Sequence, residues 1–231
     1  MELVIENVSK NFGDKNVLND LSERFEKGVI YGLLGRNGAG KTTLFSLIAR
    51  EQTIDQGSIY LVENGEKITL QMEDIFFMLA EPDLPGFLSG REFVKFFIEA
   101  NAERIKESSN PDDYFDLVGF EEDDKDRLIQ GYSTGMRNKI QMIMFLILKP
   151  KVILMDEPLN SLDVVVQLEM KNLIKSIKDN HIIIFSTHIL DLAKDMADEI
   201  VLLHRGQTEK LDKKLKEDSD FEDKIIGLLK S

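Results

Sequence analysis

Apolar and polar positions alternate on two different periods along this chain. Val29-Ile30-Tyr31-Gly32-Leu33-Leu34 is an apolar run of strand length, and Leu44, Phe45, Leu47 and Ile48 then return at helical spacing. Val152-Ile153-Leu154-Met155, Ile182-Ile183-Ile184-Phe185 and Ile200-Val201-Leu202-Leu203 are further short runs, again separated by helical pattern. Runs without polar alternation suit strands buried on both faces. Their alternation with helices predicts a parallel sheet covered on both sides.

The first eighty residues add strands of another kind. Leu3-Val4-Ile5 begins a strand, and the polar stretch Asn11 to Asn16 predicts a turn before Val17-Leu18. Ser58 to Val62 and Lys67 to Leu70 flank Glu63-Asn64-Gly65-Glu66, and Asn-Gly between apolar-rich runs signals a hairpin. Ile75 to Leu79 reads as a buried strand. After Glu81 the texture changes, with Pro82, Pro85 and Gly86 interrupting the chain. Arg91 to Ala102 then reads as a helix with Phe93, Phe96, Phe97 and Ala100 on one side. Pro111 suits a helix start ahead of Tyr114, Phe115, Leu117 and Val118, and Glu121 to Asp126 reads as a solvated acidic loop. Lys149-Pro150 closes this stretch. The pattern therefore predicts a helical insertion over 82–150 in a core built from 1–81 and 151–231. At the C-terminus, Ser219 to Glu222 resembles a capping box, and Phe221, Ile225, Leu228 and Leu229 make one face of a short docked helix.

The length of 231 residues suits one domain with an insertion. A formal charge of −13, from 29 basic and 42 acidic side chains, argues against nucleic acid as a partner, because phosphate backbones demand basic faces. The absence of cysteine fits a cytoplasmic protein and rules out thiolate metal sites. Met1 to Glu6 does not read as a signal peptide. The longest apolar run, Ile140 to Leu148 with Gln141 inside it, falls far short of the ~20 residues of a membrane span, so work at a membrane requires a partner.

The candidate chemistry begins between the first buried strand and its helix. Gly35-Arg36-Asn37-Gly38-Ala39-Gly40-Lys41-Thr42-Thr43 has the phosphate-loop spacing, a glycine, four free positions, then Gly-Lys-Thr. Glycines let backbone N–H groups converge on phosphate oxygens, and the helix start adds free donors and the positive end of its dipole. Lys41 then reaches the terminal phosphates, and the Thr42 hydroxyl is placed to ligate Mg²⁺. In such folds the ligand lies at the carboxyl ends of the parallel strands. Asp156 and Glu157 follow an apolar strand there, Asp156 placed to hold Mg²⁺ and Glu157 to polarise an attacking water as general base. His188 follows the next strand, on the same face, within reach of a terminal phosphate. Ser133, ahead of Gly135 and a strongly apolar helix, is either a plain N-cap or part of a second phosphate-binding helix end, and taken alone it reads as the cap. Phe12 is placed either to stack on a base or in the core.

In this order the residues resemble the ATP-binding subunit of ABC transporters over essentially the whole chain. Tyr132-Ser133-Thr134-Gly135-Met136-Arg137 is similar to the family signature Leu-Ser-Gly-Gly-Gln, in a Tyr-Ser-x-Gly-Met form that looks like bacterial exporter subunits. Lys151 to Glu157 resembles the Walker B strand, Ser161-Leu162-Asp163 the D-loop, His188 the switch histidine and Phe12 the base-stacking aromatic. One motif departs: after Leu79 the family has a Gln that senses Mg²⁺ and couples to the membrane subunit, where this chain has Ala80-Glu81-Pro82. The resemblance implies an α/β fold with a RecA-like phosphate-loop parallel sheet, an N-terminal antiparallel β subdomain and an inserted helical subdomain. It implies ATP and Mg²⁺ as ligands, ATP hydrolysis, a head-to-tail dimer with a second ATPase subunit, and a separately encoded transmembrane permease that holds the protein at the inner face of the cell membrane. The alternative is a soluble ATPase of the same family acting on a non-membrane partner.

Overall fold

The computed structural model describes residues 1–105, 110–160, 162–212 and 220–230. Ser161 of the expected D-loop and Ser219 of the expected capping box lie outside them. By its contacts the chain falls into two compact units, one of 1–77, 151–157 and 178–231, the other of 78–150 and 158–177.

The first unit opens with a long antiparallel hairpin, β1 (Glu2–Phe12) and β2 (Lys15–Glu26). After β3 (Ile30–Leu34) and α1 (Lys41–Ile48), the strand β4 (Gln56–Glu63) returns antiparallel beside β1 and turns into β5 (Glu66–Ile68), giving the order β2-β1-β4-β5. The Asn64-Gly65 turn has φ of 53° and 83°, the positive pair that the sequence signal demands. The second sheet runs β10-β9-β3-β8-β7-β6, with β6 (Ile75–Met78), β7 (Val152–Asp156), β8 (Ile182–Thr187), β9 (Glu199–His204) and β10 (Gln207–Lys210). Strands β7, β8, β3 and β9 are parallel in that sequence of neighbours, and β10 closes the edge antiparallel to β9.

Every residue of β3 is buried, as its unalternating pattern predicts. One core joins Leu3, Leu18 and Phe25 of the antiparallel sheet to Leu33, Leu154, Ile184 and Val201 of the parallel sheet and to Leu44, Phe45 and Ile48 of α1. Side chains buried this fully contribute about 1.5–3 kcal/mol each, which fixes α1 and therefore the turn that leads into it.

The second unit holds α2 (Gly90–Ala100), α3 (Pro111–Leu117), α4 (Glu122–Lys125), α5 (Thr134–Leu148) and α6 (Val164–Ile177). Its core includes Phe93, Phe115, Phe120, Tyr132 and Ile143. Two expectations are corrected here. The helix α6, placed with the core half from sequence, groups with the insertion. Lys139 of α5 explains part of that attachment, since its ammonium bridges Glu169 of α6 at 2.8 Å and donates to the Gly119 carbonyl at 2.7 Å. The acidic stretch Glu121 to Asp126 is a short helix and not a loop. Lys125 within it is buried and paired with Glu122 at 2.7 Å and Asp116 at 3.1 Å, while Arg91 pairs with Glu122 and Asp126, each at 2.9 Å. Glu122 and Asp126 are therefore partners of cations while remaining exposed to solvent, as the sequence reading expects.

Helices α7 (Leu190–Met196) and α8 (Phe221–Lys230) complete the first unit. Phe221 and Ile225 of α8 are buried, as expected of a docked helix.

Candidate functional site

The turn from β3 into α1 is built by backbone. Gly40 precedes the helix at φ 106°, and a Cβ there would meet Val17 Cγ1 at 3.0 Å and Leu18 Cδ2 at 3.2 Å. At Gly35 a Cβ would meet the Leu203 carbonyl oxygen at 2.8 Å, so β9 packs directly against the loop backbone. Among the described residues no side chain caps α1, which leaves its first-turn N–H groups to face outward. The Lys41 ammonium is folded against its own loop, donating to the Gly35 carbonyl at 2.8 Å and the Arg36 carbonyl at 3.4 Å. Burial pushes the Lys41 pKa down, while Glu157 and Asp156 pull it back up.

The carboxyl ends of β7 and β8 bring the carboxylates to this loop. Thr42 donates its hydroxyl to Asp156 Oδ2 at 2.8 Å, so the two expected metal ligands lie side by side. The other oxygen of Asp156 accepts from the Ser186 hydroxyl, whose residue pairs with Asp156 across the β7–β8 register. Ser186 also accepts from the Glu157 N–H at 3.1 Å. Glu157 itself sits at φ 50°, a left-handed conformation that costs a non-glycine residue about 1–2 kcal/mol. In that conformation its carboxylate lies 2.9 Å from His188 Nδ1 and 3.9 Å from the Lys41 ammonium. Sequence reasoning missed Ser186. The available signal was its place at the end of the strand next to β7, one residue before Thr187-His188.

Lys41, Thr42, Asp156 and Glu157 line a cavity of about 570 Å³ that also takes in Asn37, Gly38, Thr43 and Phe12. Phe12 is 47% exposed, so it is available for stacking and is no core residue. Arg36 and Ala39 line an adjoining cavity on the other flank of the loop. The donor set fits Mg²⁺: one hydroxyl and one carboxylate are hard oxygen ligands, and such ions take the rest of their shell from phosphates and water.

Ser133 and Gly135 belong to the second unit and line a separate cavity of about 430 Å³ with Leu162, Val166 and Lys139. Ser133 is the N-cap of α5, its hydroxyl accepting from the Met136 N–H at 3.2 Å. No helix among the described residues is long and apolar enough to cross a membrane.

Comparison with known proteins fits this geometry. The sequence profile described as "ABC transporter" matches residues 18–160. The sulfate/thiosulfate import ATP-binding protein of Cucumis sativus is 31% identical over 218 residues, 91% of this chain and 62% of that protein. The Fe(3+) ions import ATP-binding protein of Pasteurella multocida is 31% identical over 89% of this chain and 60% of its own length. An uncharacterized ABC transporter ATP-binding protein of Bacillus subtilis is 30% identical, covering 89% of this chain and 68% of that protein. The chain thus spans about three fifths of the length of the two import proteins. Their names give no support to the exporter subgroup expected from the Tyr-Ser-x-Gly-Met signature. A solved ATP-binding subunit of an ABC transporter superposes with a TM-score of 0.80 over 100% of both chains at 22% identity, a likeness of fold. A putative ABC transporter ATP-binding protein of Pyrococcus furiosus gives 0.73 at 25% identity over 88% of this chain and 98% of that one.

Proposed function

This chain belongs to the ABC transporter family, as an ATP-binding domain of the ATPase type, and from that premise we propose that it hydrolyses MgATP to drive a separately encoded membrane permease. The observation that carries the proposal is the meeting of the phosphate loop, the Thr42–Asp156 pair and Glu157 in one cavity, with His188 bonded to the Glu157 carboxylate. ATP lies with its base against Phe12 and its phosphates on the N–H groups of Gly38 to Thr43. Lys41 exchanges its loop carbonyls for the terminal phosphate oxygens. Thr42 and Asp156 would hold Mg²⁺, and the ion, when bound, would supply positive charge to the phosphates. Glu157 takes a proton from the attacking water, and His188 holds the carboxylate of Glu157 in place.

Ser133 and Gly135 serve the nucleotide of a second copy in a head-to-tail dimer, where loss of the γ-phosphate removes the bridge between subunits. The protein is then cytoplasmic and held at the inner membrane face by its permease. Direction of transport is the finer part of the reading: the signature form alone favours export. The test is phosphate release from MgATP by the purified full chain, alone and in proteoliposomes with the membrane protein encoded beside its gene. Release in both settings, stimulated by the membrane protein, is expected, and substrate flux in those vesicles then reads the direction. No MgATP-dependent release in either setting overturns the proposal.

A further inference from the structure

The segment after β6 lacks the expected Gln and reads Leu79-Ala80-Glu81. A carboxamide nevertheless meets this segment, from α5. Gln141 is 4% exposed in a helix whose neighbouring Ile140, Met142 and Ile143 are buried hydrophobics. A buried amide is costly unless its donors and acceptor are matched. Gln141 matches them on one residue: its Oε1 accepts from the Leu79 N–H at 3.0 Å and its Nε2 donates to the Leu79 carbonyl at 3.0 Å. The side chain thus acts as one rung of a ladder at the end of β6.

One turn earlier on α5, Asn138 is 2% exposed and continues the chain of bonds. Its Oδ1 accepts from Gln141 Nε2 at 3.4 Å, and its Nδ2 donates to the Pro158 carbonyl at 3.3 Å. Pro158 follows Glu157 in the chain. Two buried amides on the signature helix therefore grip the segment after β6 and the residue after the general base. Neither link uses a charge, so neither is screened by salt.

We infer that Gln141 is a positioning residue that makes Leu79-Ala80-Glu81 move with α5, supplying from the helix the coupling that a Gln in the segment itself would supply. The inference rests on the proposed MgATP function for what drives the motion, and on the Gln141–Leu79 geometry for the link. An apolar side chain at 141 leaves both Leu79 groups unpaired and frees the segment from the helix.

The test is hydrogen exchange by mass spectrometry on the full chain, wild type and Gln141→Met, with and without MgATP. Without nucleotide, exchange at the Leu79 amide should rise about tenfold or more in Gln141→Met, the scale of one lost hydrogen bond. With MgATP, peptides covering 79–81 and 133–141 should respond together in wild type, at one ATP midpoint. In Gln141→Met the α5 peptide should keep its response while the 79–81 peptide loses it. A merely structural role would change protection in both peptides alike. Gln141→Glu keeps the acceptor for the Leu79 N–H and loses the donor to its carbonyl, so it should give an intermediate loss. It also decides the matter if Gln141→Met fails to fold. Wild-type protection and ATP response at 79–81 in either folded variant overturns the inference. If wild type responds to MgATP nowhere, the proposed function fails, and the nucleotide-free comparison alone decides the link.

Discussion

Two glycine-bearing turns lead into helices in this molecule, and their ends are finished differently. The helix α1 begins at Gly40, with φ 106° and no side-chain cap among the described residues. The helix α5 begins at Ser133, whose hydroxyl accepts from the Met136 N–H, and Arg137 donates to the Tyr132 and Gln130 carbonyls, each at 3.3 Å. The first end leaves its donors outward and places a lysine and two carboxylates beside them. The second satisfies part of itself. A phosphate site is therefore written into the first turn by its own residues, whereas the second has a complete local explanation as a capped helix and gains a phosphate role only from a second copy.

The largest effect that can break this comparison is at Lys41. Lys41→Ala removes the only side-chain ammonium of the loop and should weaken MgATP binding by about 10²-fold or more, the scale of losing one partner of a buried charge contact. A thermal-shift titration reads it, and an unchanged MgATP shift would mean the first turn is not a phosphate site. Ser133→Arg should be next, abolishing hydrolysis while nucleotide binding at Lys41 stays within a few-fold of wild type. Full turnover by Ser133→Arg would reduce Ser133 to the cap that its hydrogen bond describes.

The difference between the two turns also marks how far the sequence could be read. The phosphate loop was legible because its chemistry fixes residue type and spacing together, and β3 because a strand buried on both faces has no polar alternation. The hairpin at Asn64-Gly65 was legible because few residue pairs tolerate two positive φ values in succession. What was not legible depends on partners distant in sequence. The grouping of α6 with the insertion draws in part on the Lys139–Glu169 pair, and the acidic stretch near Lys125 became a short helix whose Glu122 meets two cations. Gln141 read as an interruption in an apolar run, with nothing to announce Leu79, 62 positions away, as its partner. Ser186 was hidden similarly, since only the β7–β8 register places it on Asp156.

A smaller effect sharpens the backbone side of the comparison. Gly40→Ala forces a Cβ into contact with Val17 and Leu18 at a positive φ. It should destabilise the folded chain by about 1–3 kcal/mol, the usual range for such strain. Chemical denaturation measures this, and a neutral result would show that α1 can begin without the left-handed residue.

The smallest effect is alkaline. Tyr31 in β3 and Tyr132 ahead of α5 are both pushed from 10.0 up to about 12, chiefly by burial. Below about pH 10 both phenols are neutral, folded or unfolded, and their contribution to stability is complete. Between about pH 10 and 12 the unfolded chain releases these protons first, so stability falls as pH rises. Tyr31→Phe and Tyr132→Phe should each flatten part of that fall. Tyr132 donates to the Asp124 carbonyl at 2.8 Å and loses that bond on ionising, while Tyr31 accepts from the Glu26 N–H at 2.9 Å and keeps it. Denaturation midpoints from pH 8 to 12 test both, and identical slopes in all three proteins would contradict the burial argument.

The central claim is that Glu157, held by Ser186 through its N–H and by His188 through its carboxylate, is the base that turns bound MgATP over. The most direct measurement is a single-turnover experiment with radiolabelled ATP on the wild-type full chain and Glu157→Gln. Glu157→Gln should hold one ATP per phosphate loop with near wild-type affinity and cleave it about 10²-fold more slowly or worse, the scale of losing a general base. Cleavage of the bound ATP at the wild-type rate by Glu157→Gln would contradict the claim.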